Sequence, residues 1–437
     1  MPDNCSRRAA PHARLTRTIQ SKRILFATVG SLGDLHPCLA LALELQRRGH
    51  TATIASIEYY RTKVEGLGIG FLPIRPDMDP TDGEMIRQCE DLKRGPEILF
   101  RKIVLPHLRE TYQDLLEAAA GADLMVAGEL NYAAPLVSEK LGLRWVSAIL
   151  SPASFFSAHD PSVMVNVPWL IHVRKAGWRS YRTVFNLGRL GTRHWWDPVR
   201  QLRREEGLRP DCDPLFRDKF SPDLVLALFS PLLAQLQPDW PTQTRQPGFV
   251  FFDQHGSSAE VDRKLAEFLA IPDPPIVFTQ GSTAVHAPGN FYEVSAESAR
   301  KLGRRALLVG TTVVPGIPSP GICAAPYAPY SQVFRTAAVN VHQGGSGTTG
   351  QALYAGRPQL IVPFGWDQPD NAVRMERLGA GLHLPRSAYS VRSATAALER
   401  LLSEKQFSSR AARVGAEIQA ENGLAAACDA VEALLQH

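Results

Sequence analysis

The chain has 437 residues, 44% of them hydrophobic, and no run of 18 or more apolar side chains. That length is long for one domain and suits two of about 200 residues each, and without such a run no transmembrane helix is expected. The net charge of +5 equals the surplus within residues 1–23, where Arg7, Arg8, Arg14, Arg17, Lys22 and Arg23 face a single acid, Asp3. The body of the chain is therefore about neutral, which argues against a nucleic-acid binder.

Residues 1–22 have no apolar centre and are not a secretory signal. They read as a solvated, disordered basic leader, with weak attraction to an anionic membrane surface as the sharper alternative. The six cysteines, at 5, 38, 89, 212, 323 and 428, form no Cys-x-x-Cys pair. Neither a disulfide nor a metal is expected from them, and a reducing cytoplasm fits.

In chain order, residues 23–29 (RILFATV) form a short apolar run that reads as a buried strand. Leu39, Ala42, Leu43 and Leu45 then recur at near-helical spacing, with Pro37 suited to the first turn and Gly49 to the stop. Residues 51–56 read as the next strand, and this β-α-β start implies a parallel sheet. Residues 124–127 and 144–150 read as later strands of it. Residues 155–220 differ, holding four of the seven tryptophans (Trp169, Trp178, Trp195, Trp196) beside Phe155 and Phe156. They read either as an insertion lining an apolar cleft or as ordinary helical packing. A Pro-rich junction at 237–241 separates this half from a second alternation. Strands are predicted at 276–280, 306–310, 339–341 and 359–362, and helices at 291–302, 331–337 and 346–355. The expectation is an α/β fold of two facing Rossmann-like, doubly wound domains, 23–240 and 241–420, with the site in the cleft between them. An amphipathic segment, 422–436, closes the chain.

The richest motif is His342-Gln343-Gly344-Gly345-Ser346-Gly347-Thr348. Glycines let a backbone approach a diphosphate, and the following helix start supplies amides and positive partial charge. His342 reads as a phosphate partner and, by stabilising the charge that grows on the diphosphate, as a catalytic candidate. Thr279-Gln280-Gly281-Ser282-Thr283 can offer amides and a hydroxyl to the same group, or be a plain turn. Tyr327 with Ala328 can stack on and edge-read a base, or be turn packing. Trp366, Asp367 and Gln368 follow one strand after the glycine loop, where an acid–amide pair can bind sugar hydroxyls.

On the first half, Gly30-Ser31-Leu32-Gly33-Asp34 is not Gly-x-Gly-x-x-Gly, which weakens a dinucleotide reading. Asp34 is either a helix cap or the general base for an acceptor hydroxyl. His36 is a second candidate base. Ser31, His36, Phe155 and Phe156 are the acceptor-side candidates. The triplets Asp77-Met78-Asp79 and Asp211-Cys212-Asp213 sit in Pro-flanked loops and read as solvated turns, so no metal site is expected.

In this order the motifs resemble the nucleotide-sugar glycosyltransferases of the GT-B architecture, which include macrolide, glycopeptide, sterol and flavonoid transferases. The His-x-Gly-Gly-x-Gly-Thr…Asp-Gln…Asn-Ala pattern stands complete between His342 and Ala372. Gln280-Gly281-Ser282-Thr283, Asp239-Trp240-Pro241 and Ala325-Pro326-Tyr327-Ala328-Pro329 are similar to stretches of the rhamnosyltransferases of rhamnolipid synthesis. The resemblance spans residue 23 to the C-terminus. It implies Asp34 as base and Tyr327 as base platform. It assigns diphosphate contacts to Ser282, His342 and the amides of Gly345 to Thr348, and sugar contacts to Asp367 and Gln368. A last helix, 421–437, would cross back to the first domain. The relatives vary at the His36 position. A catalytic His–Asp dyad finds Gly128 and Glu129 where its aspartate would stand, and a ribose-binding glutamate finds Gly350 and Gln351.

The resulting expectation is an inverting, metal-independent hexosyl transfer without a cofactor. The donor is dTDP-L-rhamnose or UDP-glucose, and the acceptor is an apolar alcohol such as a lipid, polyketide, sterol or flavonoid. A nucleotide-sugar 2-epimerase of the same fold and a non-catalytic nucleotide-sugar-binding subunit remain as alternatives.

Overall fold

The computed structural model describes residues 20–164, 167, 169–252, 263–312 and 321–436, with Ile171 described by its backbone alone. The readings of residues 1–19, Cys5 included, fall outside the described residues.

Seven strands make the first sheet: β1 (Arg23–Ala27), β2 (Thr51–Ser56), β3 (Gly70–Pro73), β4 (Leu124–Gly128), β5 (Trp145–Ile149), β6 (Leu224–Ala227) and β7 (Thr244–Arg245). They lie in the order β3-β2-β1-β4-β5-β6-β7, all parallel, with Ile24 opposite Ala52 on one side and Leu124 on the other. Ile24, Leu25, Phe26 and Ala27 are all buried, as the central strand of a sheet covered on both faces must be. The second sheet has β8 (Ile276–Thr279), β9 (Ala306–Val309), β10 (Ile322–Ala325), β11 (Val339–His342), β12 (Gln359–Ile361) and β13 (Gly381–His383), in the parallel order β10-β9-β8-β11-β12-β13. In each sheet the strand order reverses once, between β1 and β4 and between β8 and β11. The crevice of a doubly wound sheet opens at that reversal, beyond the strands' carboxyl ends. The loops after β1, β4, β8 and β11 are therefore the ones the fold brings to the cleft.

The first helix differs from expectation. It runs Leu32–Arg47, with Ser31 as N-cap, so Pro37 lies inside it rather than in its first turn. A capping box explains the earlier start: the Ser31 hydroxyl accepts from the Gly33 N–H at 3.1 Å, and Asp34 accepts from the Ser31 N–H at 2.8 Å. The Trp-rich segment also divides. Trp196 is core, its ring 4.9 Å from Tyr132 and 5.5 Å from Phe100, whereas Trp169 and Trp178 are exposed. Ordinary packing thus accounts for Trp196.

Contacts tie the two sheets' surroundings together. The helix Gly423–Leu435 packs on Leu32–Arg47, and Arg48 bonds Asp429 and Glu432 at 2.5 and 2.7 Å. Buried Arg374, on the helix Gln368–Arg377, bonds Asp370 on its own helix at 2.7 Å and Asp160 and the Leu233 carbonyl of the first half. Among the described residues, no helix is long and apolar enough to cross a membrane.

Candidate functional site

Asp34 sits on the first turn of Leu32–Arg47, just beyond β1. Its Oδ2 accepts from the Ser31 N–H and, at 3.1 Å, from the Ser31 hydroxyl. Burial pushes the carboxyl from the ordinary 3.8 up to about 6; the two Ser31 bonds oppose the rise, and the charges of Glu129 and Asp367 add to it. Asp34 is thus the N3 member of the Ser31 capping box, not the N-cap of a helix starting near Pro37, and it is a perturbed carboxylate as well. The charge of Asp367 reaches Asp34 from the loops of the other sheet, and that of Glu129, just past β4, reaches it from its own. Glu129 Oε1 accepts from the Leu150 N–H at 3.1 Å, and its Oε2 is 3.5 Å from the buried Lys219 ammonium. Burial lowers the Lys219 pKa and Glu129 opposes that. Glu129, which stands beside the position a dyad's aspartate would hold, is 95 residues from Asp34, and the β1–β4 pairing makes them neighbours.

The remaining acceptor-side candidates scatter. The His36 ring turns toward Phe252, 5.1 Å between centroids, and burial holds it neutral with a pKa of about 3, Lys63 adding to the drop. Phe155 is stacked on Trp240 at 3.9 Å inside the core, so it does not line the cleft. Phe156, at a left-handed φ of 51°, is half-buried against Phe185 and Phe216, with the Lys219 ammonium 5.0 Å from its ring.

On the other wall, the helix Ser346–Tyr354 begins directly behind the glycine loop. Gly345 is its N-cap and supplies no side chain to the first turn. The amides of Ser346, Gly347 and Thr348 precede the first intrahelical bond, Thr349 N–H to the Gly345 carbonyl at 2.8 Å. They are the open donors a helix start offers an anion. His342, by contrast, has both ring nitrogens committed. Nδ1 accepts from the Gly344 N–H at 3.1 Å, which leaves Nε2–H to donate to Gln359 Oε1 at 2.9 Å. The ring is fully buried, and burial lowers its pKa to about 4. In this arrangement it shapes the glycine loop and turns no nitrogen to a ligand.

The residue that does face the loops is Gln343, the variable position of the His-x-Gly-Gly pattern. A Cβ added at Gly281 (φ +68°) would overlap its amide, and one added at Gly345 would meet it at 2.9 Å. Its Nε2 reaches Thr348 Oγ1 at 3.4 Å, and its Oε1 is buried with no partner among the described residues. Gln343 thus bridges the turn after β8, with Gly281 and half-buried Ser282, to the loop after β11. Gly344 (φ +94°) could not carry a side chain, since a Cβ there would strike Ile361 and the Gln368 carbonyl.

The third loop joins this network. Asp367 Oδ2 accepts from the Ser346 hydroxyl at 2.7 Å and from Asn371 Nδ2 at 2.8 Å, while Asn371 also donates to the Gly344 carbonyl. Burial raises the Asp367 pKa against those two bonds. Gln368 Oε1 accepts from the Phe364 and Gly365 N–H groups at 2.7 and 3.2 Å, so its carbonyl end builds the loop. Trp366 is strained at φ 57° and partly exposed between them. Tyr327 is 57% exposed beside buried Ala328, and its turn is pinned by Tyr330, whose hydroxyl lies 2.8 Å from Thr279 Oγ1. Gly350 lies against Phe249, which a Cβ would strike, so no side chain at 350 reaches a ribose. The cleft thus has one wall bearing a carboxylate whose pKa lies near neutrality. The other bears open helix-start amides, an exposed aromatic and a second carboxylate, a division that suits separate binding of two substrates.

Comparison with known proteins agrees with that arrangement. A glycosyltransferase family 28 N-terminal domain model matches residues 24–152, and an erythromycin biosynthesis protein CIII-like C-terminal domain model matches residues 311–434. The O-mycaminosyltylonolide 6-deoxyallosyltransferase of Streptomyces fradiae is 33% identical over 427 residues, covering 94% of this chain and 97% of its own. The sterol 3-beta-glucosyltransferase of Neurospora crassa is 26% identical over 94% of this chain, which spans only 27% of that longer protein. The spinosyn rhamnosyltransferase SpnG, solved with thymidine diphosphate, shares the fold with a TM-score of 0.66 at 19% identity, covering 94% of this chain and 100% of its own. The chain belongs to the glycosyltransferases of the two-domain GT-B architecture, and is an enzyme of that class.

Proposed function

We propose that this enzyme transfers a hexosyl group, with inversion and without a metal, from a pyrimidine nucleoside-diphosphate sugar to a hydroxyl of an apolar acceptor of the polyketide or sterol kind. Residues 23–240 take the acceptor and residues 241–420 the donor, with 421–437 tying the two together. The observation that carries this reading is the Asp34 carboxyl, with a pKa of about 6, facing a cleft whose other wall holds the open amides of Ser346, Gly347 and Thr348. A carboxylate with that proton affinity is mostly ionised at neutral pH and still a competent base. Asp34 takes the acceptor proton as the acceptor oxygen bonds to the anomeric carbon. The bond from that carbon to the diphosphate breaks, and its electron pair leaves with the nucleoside diphosphate. The helix-start amides, Ser282 and the Gln343 amide stabilise the charge growing there. Asp367 accepts from sugar hydroxyls, Trp366 and the Gln368 amide line the same pocket, and Tyr327 stacks on the base. His342 serves by holding the loop, and His36, neutral and turned to Phe252, is not the base.

dTDP-L-rhamnose and UDP-glucose are the donors to compare. A thermal-shift series with both sugars, dTDP, UDP and NAD tests the site. A donor at 100 times its Kd adds about 2.7 kcal/mol of stability. Stabilisation by one diphosphate sugar and none by NAD is expected; no response to any pyrimidine nucleotide refutes the reading. Incubation with donor alone then separates transfer from 2-epimerisation, because only an epimerase turns over without an acceptor.

A further inference from the structure

The helix Trp178–Gly191, with the short helix Leu170–Val173 before it, carries exposed apolar side chains. Leu187 and Leu190, three residues apart on one side, are 64% and 62% exposed. Trp169 and Trp178, toward the N-terminal end, are 55% and 40% exposed. Tyr181, Val184 and Phe185 pack instead against Ala158, Leu170 and Val173, so the helix is anchored without the two leucines. Charge is as one-sided as polarity. Residues 161–196 contain no Asp or Glu and six Lys or Arg: Arg174, Lys175, Arg179, Arg182, Arg189 and Arg193. Arg189 is taken up by Asp213. The other five are exposed and form no salt bridge among the described residues.

The outer side of this helix mixes Leu187 and Leu190 with Arg179 and Arg182, and exposed Trp169 and Trp178 flank it, a combination of apolar anchors and cations that suits the headgroup region of an anionic bilayer. Cations held near such a surface are attracted to its anionic headgroups. A protein partner fits less well, because a stable protein interface uses about 20–30 residues a side and this patch offers four apolar side chains. Interfacial insertion needs no more than a few. We propose that this face of the acceptor-side domain docks on an anionic phospholipid membrane. The inference stands apart from the identity of donor and acceptor.

The test is co-sedimentation of the full chain with vesicles of phosphatidylcholine alone and of phosphatidylcholine with phosphatidylglycerol. The wild-type chain is expected to bind the anionic vesicles, to bind the neutral ones far less, and to detach as ionic strength rises past about 0.15 M, where screening acts within about 8 Å. Leu187→Asp with Leu190→Asp, and separately Arg179→Glu with Arg182→Glu, should each lower anionic binding about tenfold or more. Thermal midpoint and turnover of a dissolved acceptor should stay as they were. All variants keep residues 1–22, so any attraction by the basic leader is constant across the series. The proposal is overturned if the wild-type chain ignores anionic vesicles, or if both double variants bind as well as it does. It is equally overturned if Leu187→Asp with Leu190→Asp lowers kcat/KM for a dissolved acceptor without vesicles, which would assign the face to the acceptor site.

Discussion

Asp34→Asn separates a base from a cap by moving activity and stability in opposite directions. Burial lifts the Asp34 pKa from 3.8 to about 6, so the folded chain holds this proton more tightly than the unfolded one. The group's contribution to stability is fully present below about 3.8 and is lost as pH rises through about 6. Near pH 7.5 the ionised carboxylate therefore costs the fold about 3 kcal/mol. Asn removes that charge, and its side-chain oxygen can still accept the Ser31 N–H bond that Asp34 holds at 2.8 Å. The melting temperature should therefore hold or rise by roughly a few degrees. Activity should fall by about 10²–10⁴ if Asp34 takes the acceptor proton. The wild-type kcat/KM profile should show an acid limb near pH 6, falling about tenfold per pH unit below it, and the variant should lack that limb at unchanged donor affinity. Steady-state kinetics across pH, donor titration and a melting curve at pH 7.5 supply all three readouts. An Asn variant that melts much earlier yet turns over within a few-fold of wild type would refute the reasoning and leave Asp34 as a cap alone.

Three further outcomes follow from the geometry of the cleft. His342→Ala leaves the Gly344 N–H and Gln359 Oε1 without their buried partner, each at about 1–3 kcal/mol. Donor KM should rise and turnover fall together; unchanged kinetics with a melting curve like wild type would remove His342 from the loop. Gly281→Ala forces a left-handed residue, at about 1–2 kcal/mol, and pushes a methyl into the Gln343 amide. Donor affinity should drop while acceptor KM holds, and equal donor binding by calorimetry would show that the turn after β8 is not part of the phosphate site. Arg374→Met leaves buried Asp370 without its main counter-charge and severs the link to Asp160. Breaking such a buried pair costs about 3–5 kcal/mol, so thermal unfolding should begin several degrees earlier.

Much of this was legible in the chain because it is written locally. Short apolar runs at 23–29, 51–56 and 276–280 announce buried parallel strands, and alternation with helical spacing fixes the class. The glycine loop was legible for the same reason: Gly344 and Gly345 stand where side chains would collide, and that demand is visible in the sequence as glycine. What the sequence could not decide is which way polar side chains turn. His342 is committed by Gln359, on the neighbouring strand β12, while adjacent Gln343 faces the turn after β8. The two are consecutive, and only strand pairing turns one toward Gln359 and the other toward Gly281. The Asp34 proton affinity is likewise a property of burial and of Glu129 and Asp367, charges 95 and 333 positions away. Trp196, which composition leaves open between cleft lining and ordinary packing, and Phe155, an acceptor-side candidate, are core because Tyr132, Phe100 and Trp240 close over them. Local backbone preference and hydrophobic period are short-range and survive in the linear order; electrostatic and packing partners are long-range and exist only once the two sheets have formed.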